Sequence, residues 1–114
     1  QYNLGNLLRW FGRPDEALGP LLEAVRLRPD FAMAYEALGH VYRDLGQPQA
    51  ALQAFQRSVE LKPTVANAQF NLGLMHYRGD GQPKDVAVAA QWFARAAQGG
   101  SIDAQYALDF VRGQ

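Results

Sequence analysis

The stretch from residue 35 to residue 63 decides the fold. It reads Tyr35-x-x-Leu38-Gly39-x-x-Tyr42, then Ala51-x-x-x-Phe55, then Pro63. The same marks return at one fixed distance. Leu38-Gly39 is preceded by Leu4-Gly5 and followed by Leu72-Gly73, each 34 residues away. Ala51 answers Ala17, Pro63 answers Pro29, and Gly46-Gln47-Pro48 answers Gly12-Arg13-Pro14. Composition alone does not hold four independent markers at one period. A period in this range belongs to a stacked-repeat architecture.

The second unit, Ala32 to Val65, resembles the tetratricopeptide repeat, whose pattern is an aromatic, Leu-Gly, Tyr, then Ala, Phe and Pro at these offsets. The first unit matches as Leu4-Gly5-x-x-Leu8, Ala17-x-x-x-Leu21 and Pro29. The third departs. Ala68-Gln69 recurs as Ala104-Gln105 and Leu72 aligns with Leu108, a spacing of 36. Its text Leu72-Gly73-x-Met75, Gly79-x-Gly81, Asp85, Trp92-Phe93-x-x-Ala96-Ala97 and Gly99 resembles a Sel-one-like repeat, a relative with a longer loop between its two helices. The resemblance implies an all-α solenoid of stacked antiparallel helical hairpins, a right-handed superhelix segment of about seven helices. The expected division is 1–31 as a first repeat lacking its opening residues, 32–65 as a second, 66–103 as the Sel-one-like unit, and 104–114 as a final helix. The chain opens at Gln1 inside a helical pattern and closes on a lone first helix. A segment of a longer protein is the expectation.

At 114 residues the chain buries roughly two-thirds of its unfolded surface. It has no cysteine, so disulfides and thiolate metal sites are excluded, although this does not fix the compartment. Eleven basic and eleven acidic residues give no net charge, so bulk attraction to nucleic acid or an anionic membrane is not expected. No apolar run approaches the length of a membrane span.

Turn chemistry places the helices near 2–11, 14–27, 32–45, 48–61, 66–78, 84–98 and 102–112. Gly12, Gly46 and Gly79 or Gly81 can take the left-handed geometry that closes a helix, and Pro14, Pro48 and Pro83 fit the first turn of the next. Pro29 and Pro63 stop the second helices. Pro20, inside a helix, removes the bond to the Glu16 carbonyl and is expected to kink that turn. Leu4, Leu8, Leu38, Tyr42 and Leu72 are expected to form one core. Gly5, Gly39 and Gly73 lack side chains where paired helices approach most closely, and Ala17 and Ala51 serve the same spacing from the opposing helix. His76, in the slot of Tyr42, reads as a core histidine satisfied by one hydrogen bond.

In tetratricopeptide solenoids the first helix of each hairpin lines the concave face, and the resemblance implies the same here. With the core stripe assigned, the opposite stripe carries Tyr2, Asn3, Asn6, Arg9 and Trp10 in the first unit. Met33, Glu36, His40, Arg43 and Asp44 follow in the second, and Asn67, Phe70, Asn71, Leu74, Tyr77 and Arg78 in the third. Three such helix pairs make a trough on the order of 25–30 Å long, enough for an extended segment of roughly eight residues. The residues expected to line a peptide groove are Asn3, Asn6, Arg9, Trp10, Glu36, His40, Arg43, Asn67, Phe70, Asn71 and Tyr77. Asn3 and Asn71 both precede Leu-Gly, with Ala37 between them, a broken ladder that resembles the peptide groove of protein O-glycosyltransferase arrays. An amide both donates and accepts, which matches a peptide main chain without reading its sequence. Polar residues on a solvated helix face would give the same pattern.

The carboxylate clamp that reads chaperone C-termini uses a Lys and an Asn on the first helix, an Asn on the second, and two cations on the third. The matching positions here are Tyr2 and Asn6, Ala37, and Asn67 with Asn71, and Asn6 alone agrees. Chaperone-tail binding is therefore excluded. Gly79-Asp80-Gly81 follows a helix and lacks the Lys-Ser/Thr of a phosphate loop. His40 and His76 point to different faces, Ser58 and Ser101 have no base nearby, and Asp15-Glu16 favours a helix dipole. No constellation supports catalysis, and no metal or cofactor is implied.

The expected function is a scaffold or adaptor module binding a protein or peptide. A substrate-docking arm of a larger enzyme such as a glycosyltransferase is one alternative. Self-assembly is the other, through a last helix expected to leave Ala107, Leu108 and Val111 uncovered, with Phe110 nearby.

Overall fold

The computed structural model describes residues 1–62 and 66–113. Seven α-helices follow one another: α1 (Tyr2–Trp10), α2 (Pro14–Leu27), α3 (Ala32–Asp44), α4 (Pro48–Leu61), α5 (Ala66–Arg78), α6 (Val86–Gln98) and α7 (Ile102–Arg112). Each packs chiefly on its neighbours in sequence, and α1 also touches α3. The result is an elongated body of 41 × 25 × 22 Å. The expected stop at Pro63 lies outside the described residues.

The first two hairpins close identically. Gly12 and Gly46 sit at φ 72° and 74°, in the left-handed region, where a side chain would be strained. The following N–H groups of Arg13 and Gln47 then reach back to the carbonyls of Leu8 and Tyr42, at 2.9 and 2.8 Å. This satisfies carbonyls that the helix end would leave bare. Pro14 and Pro48 open the next helices, as their spacing predicts.

The third hairpin differs because its loop is longer. Asp80 bonds Met75 O at 2.9 Å, Asp85 N–H bonds His76 O at 2.8 Å, and the Gln82 side chain also donates to Met75 O at 2.8 Å. Gly81 lies against the start of α4, where a β-carbon would come within 3.1 Å of Gln49 Cα. Here the expectation for Pro83 fails. It lies outside α6, and Asp85 caps the helix instead, its Oδ1 accepting from Val88 N–H at 3.1 Å. Pro20 lies inside α2, which runs from Pro14 to Leu27 as its spacing predicts.

Inside each hairpin one large side chain from the second helix fills the space left by the glycine of the first. A β-carbon on Gly39 would fall 2.5 Å from Phe55, and one on Gly73 would fall 2.6 Å from Phe93; Leu21 occupies the same place against Gly5. Ala17, Ala51 and Ala89, one turn earlier, are wholly buried. Successive hairpins join through apolar clusters, with Tyr42 touching both the Leu21–Leu38–Val41 cluster and the Phe55–Leu72–Met75 cluster. Leu38 and Leu72 are buried as expected.

Leu4 is 48% exposed, contrary to its expected core role, and Leu21 fills the space beside Gly5 of the same helix. His76 is half-buried, and its ring makes no hydrogen bond among the described residues. In α7 the expected patch holds at Phe110 and fails at the other three residues. Leu108 is buried, and Ala107 and Val111 pack on the Phe93 cluster, while Ile102, Tyr106 and Phe110 face outward.

Candidate functional site

The first helices α1, α3 and α5 carry the expected stripe, and side chains on α3 and α5 meet across it. Arg43 of α3 donates from Nη1 to Asn71 Oδ1 of α5 at 2.7 Å. Arg43 Nη2 lies 2.8 Å from His40 Nδ1, and His40 Nε2 lies 2.9 Å from Glu36 Oε1. A guanidinium can only donate, so Nδ1 must accept and the imidazole proton sits on Nε2. The ring therefore donates to Glu36. Asn71 completes the chain by donating Nδ2 to Asn67 O at 2.7 Å. One run of polar bonds thus links Glu36, His40, Arg43 and Asn71 across two units, with the His40 ring edge against Phe55 at 5.2 Å.

This arrangement changes the standing of two expected groove residues. Glu36 and Asn71 are 7% and 5% exposed, with the bonds above already engaging them. Sequence periodicity places them on the stripe, but the neighbouring helix and Arg43 cover them. Asn71 is held as a brace between helices, and the amide ladder is reduced accordingly.

The remaining residues fall into two groups along the stripe. Toward α1 the surface is polar. Asn3 is exposed, and Asn6 and Arg9 are half-buried; Asn67, at the start of α5, is also exposed. Asn6 Oδ1 and Arg9 Nε have no hydrogen-bond partner among the described residues. Tyr2 leans on Phe31 at 4.7 Å, and Trp10, 75% exposed, carries the Arg9 guanidinium over its ring at 5.2 Å. Trp10 therefore does not pack into the core at the end of α1.

Toward α7 the surface turns apolar. Phe70 packs on Phe93 at 5.8 Å and Tyr77 meets Phe110 edge-on at 6.3 Å, with the Lys84 ammonium 4.8 Å from the Tyr77 ring. Leu74, Tyr77, Phe93, Ala107, Phe110 and Val111 enclose a cleft of about 100 Å³ with no polar surface in its lining. Tyr106 and Phe110 were not among the expected groove residues. The 36-residue offset that aligns Leu72 with Leu108 also sets Tyr106 opposite Phe70 and Phe110 opposite Leu74, and that was the signal for them.

The serines noted in the sequence have structural work. Ser58 is buried and donates to Ala32 O at 2.9 Å, and Ser101 caps α7 through Ala104 N–H at 3.1 Å. Hydrogen bonds from Arg26 hold the Glu23 carboxyl below its usual range and raise the guanidinium in turn, but this exposed pair belongs to α2, off the stripe. Among the described residues no three His, Asp or Glu side chains gather as a metal site, and no helix is long and apolar enough to cross a membrane.

A family model described as tetratricopeptide repeat matches residues 2–66 and 36–106. Among solved structures, the MamA RS-1 ArsTM double mutant is similar over 86% of this chain and 53% of its own, at 30% identity and a TM-score of 0.77. MamA from Desulfovibrio magneticus RS-1 is similar over 85% and 52%, at 29% identity and a TM-score of 0.75. A Sel1 repeat protein from Oxalobacter formigenes matches over 96% and 44%, at 24% identity and a TM-score of 0.82, a likeness of fold. The chain thus spans about half the length of these structures. No curated protein matches it.

Proposed function

Because the chain belongs to the tetratricopeptide repeat family, we propose that it is a protein-interaction module that holds an extended partner segment along the face of α1, α3 and α5. The observation that carries this reading is the Arg43–Asn71 bond, which ties the exposed faces of two successive hairpins into one surface. Exposed Asn3 and Asn67, with half-buried Asn6, then supply amides for the main chain of a bound segment, and Arg9 and Arg43 supply charge. An extended ligand is favoured because Arg9 and Arg43 stand one 34-residue repeat apart on successive first helices, with amides on α1 and α5 to either side.

The test is selection of a random peptide library on the protein, followed by affinity measurement on the Asn6→Ala, Asn67→Ala double variant. Neither side chain makes a hydrogen bond to the rest of the chain among the described residues, so helicity and melting should hold. Binding should weaken about tenfold, the size expected for losing two neutral hydrogen bonds. Unchanged affinity for the selected peptides would remove the groove reading.

Self-association is a second reading, favoured by the outward Ile102, Tyr106 and Phe110 at one end and Leu7 and Phe11 at the other. Light scattering over a concentration series tests it, and a strict monomer at high concentration counts against it.

A further inference from the structure

We infer that the partner segment is acidic where it crosses α1 and α3 and carries a bulky apolar side chain where it reaches α7. This inference rests on the groove reading above and names the chemistry of its ligand.

The acidic preference comes from two arginines one repeat apart. Arg43 has five N–H donors, and two are engaged, by Asn71 and His40. Its negative counterpart, Glu36, is reached only through the neutral His40 ring. In the first unit even that relay is missing, since Tyr2 and Asn6 stand at the positions of Glu36 and His40. Arg9 forms no ion pair or hydrogen bond among the described residues, although Arg13, Arg26 and Arg57 all pair with a glutamate three residues away. Of the acids on this stripe, Glu36 is buried and bonded, while Asp44 is exposed at the end of α3. A ligand carboxylate can take donors that the protein itself leaves open, and a planar guanidinium binds it in fork geometry.

The apolar preference comes from the cleft between α5, α6 and α7. Its volume of about 100 Å³ suits one side chain of the size of Leu or the tip of a Phe. The walls that face into the cleft are apolar. Phe110, 59% exposed, forms its outer wall. Apolar burial here and charge pairing near α1 act at opposite ends of one face, so together they set both composition and order.

The experiment uses fluorescein-labelled synthetic peptides of about eight residues in fluorescence anisotropy. One carries Glu residues at one end and Leu at the other, a second replaces every Glu by Gln, and a third replaces Leu by Ser. Each is made in both chain directions. Either replacement should weaken binding about tenfold or more, and added salt should weaken the Glu peptide alone. Arg9→Gln should reduce the preference for Glu over Gln several-fold, and Phe110→Ala the preference for Leu over Ser. Arg9 makes no ion pair or hydrogen bond among the described residues and contacts the exposed Trp10 ring, and Phe110 is mostly exposed and touches Tyr77 at its edge, so both variants should stay folded with melting temperatures close to the parent's; Arg43→Lys, which keeps the charge but loses the fork, provides a second check on the acid subsite.

Equal affinity for the Glu and Gln peptides, or indifference to Arg9→Gln, overturns the inference. So does concentration-dependent self-association that Phe110→Ala removes and the peptides do not displace, because a second copy would then own the cleft. Selected peptides of some other composition that still depend on Asn6 and Asn67 would leave the groove reading standing and remove this one alone.

Discussion

At Gly39 the missing side chain is a packing requirement, not a matter of backbone freedom, because the Phe55 ring occupies the place a methyl group would take. Gly39→Ala should therefore cost about 1–3 kcal/mol through overpacking, read from urea unfolding. Adding Phe55→Leu should recover part of the loss. Gly19, in the interior of α2, meets nothing within 4 Å of its absent β-carbon. Gly19→Ala should be neutral or stabilising by up to about 1 kcal/mol, from helix propensity. Equal losses at both positions would refute the packing account. Asn71 makes the same point for polar groups. Its residue type invited a ligand, but its surroundings made it a brace.

Among the elements, α6 shows how a loop changes the way a helix begins. α2 and α4 start on proline and have no side-chain cap. In α6 the seven-residue connection carries Pro83 clear of the helix and gives the cap to Asp85. Asp85→Ala should cost about 1 kcal/mol, while Pro83→Ala should cost little, both read as shifts in thermal unfolding. The reverse order would mean that proline still sets the start of α6. α7 differs in another way: at the position of Gly73 it carries Asp109, which is exposed and accepts from Gln105 at 3.0 Å. Among the described residues no side chain covers it as Phe93 covers Gly73.

Over the whole molecule, an array in which each helix leans on its neighbours has a stability gradient. α3 buries seven residues, whereas α1 buries Gly5, and α7 buries Ala104 and Leu108. Local opening should therefore begin at the two ends. In hydrogen exchange, amides at the centres of α3 and α4 should be protected on the order of tenfold or more beyond those of α1 and α7. Uniform protection along the chain would indicate one cooperative body in place of a row of coupled units.

The sequence by itself determined the helices, their order and their pairing. Those depend on local signals: Leu-Gly spaced from Ala-x-x-x-Phe, glycine at the helix ends and proline at the starts, each acting within a turn or two of its own position. It also placed the stripe on which a ligand face would lie. The tertiary structure decided what that stripe is free to do. Whether Asn71 meets solvent or Arg43, and whether Phe110 joins Leu74 and Tyr77 around a cleft, depends on how neighbouring helices are set against each other in space. No residue carries that information alone, because it arises from the packing of side chains that lie roughly one repeat apart in the chain.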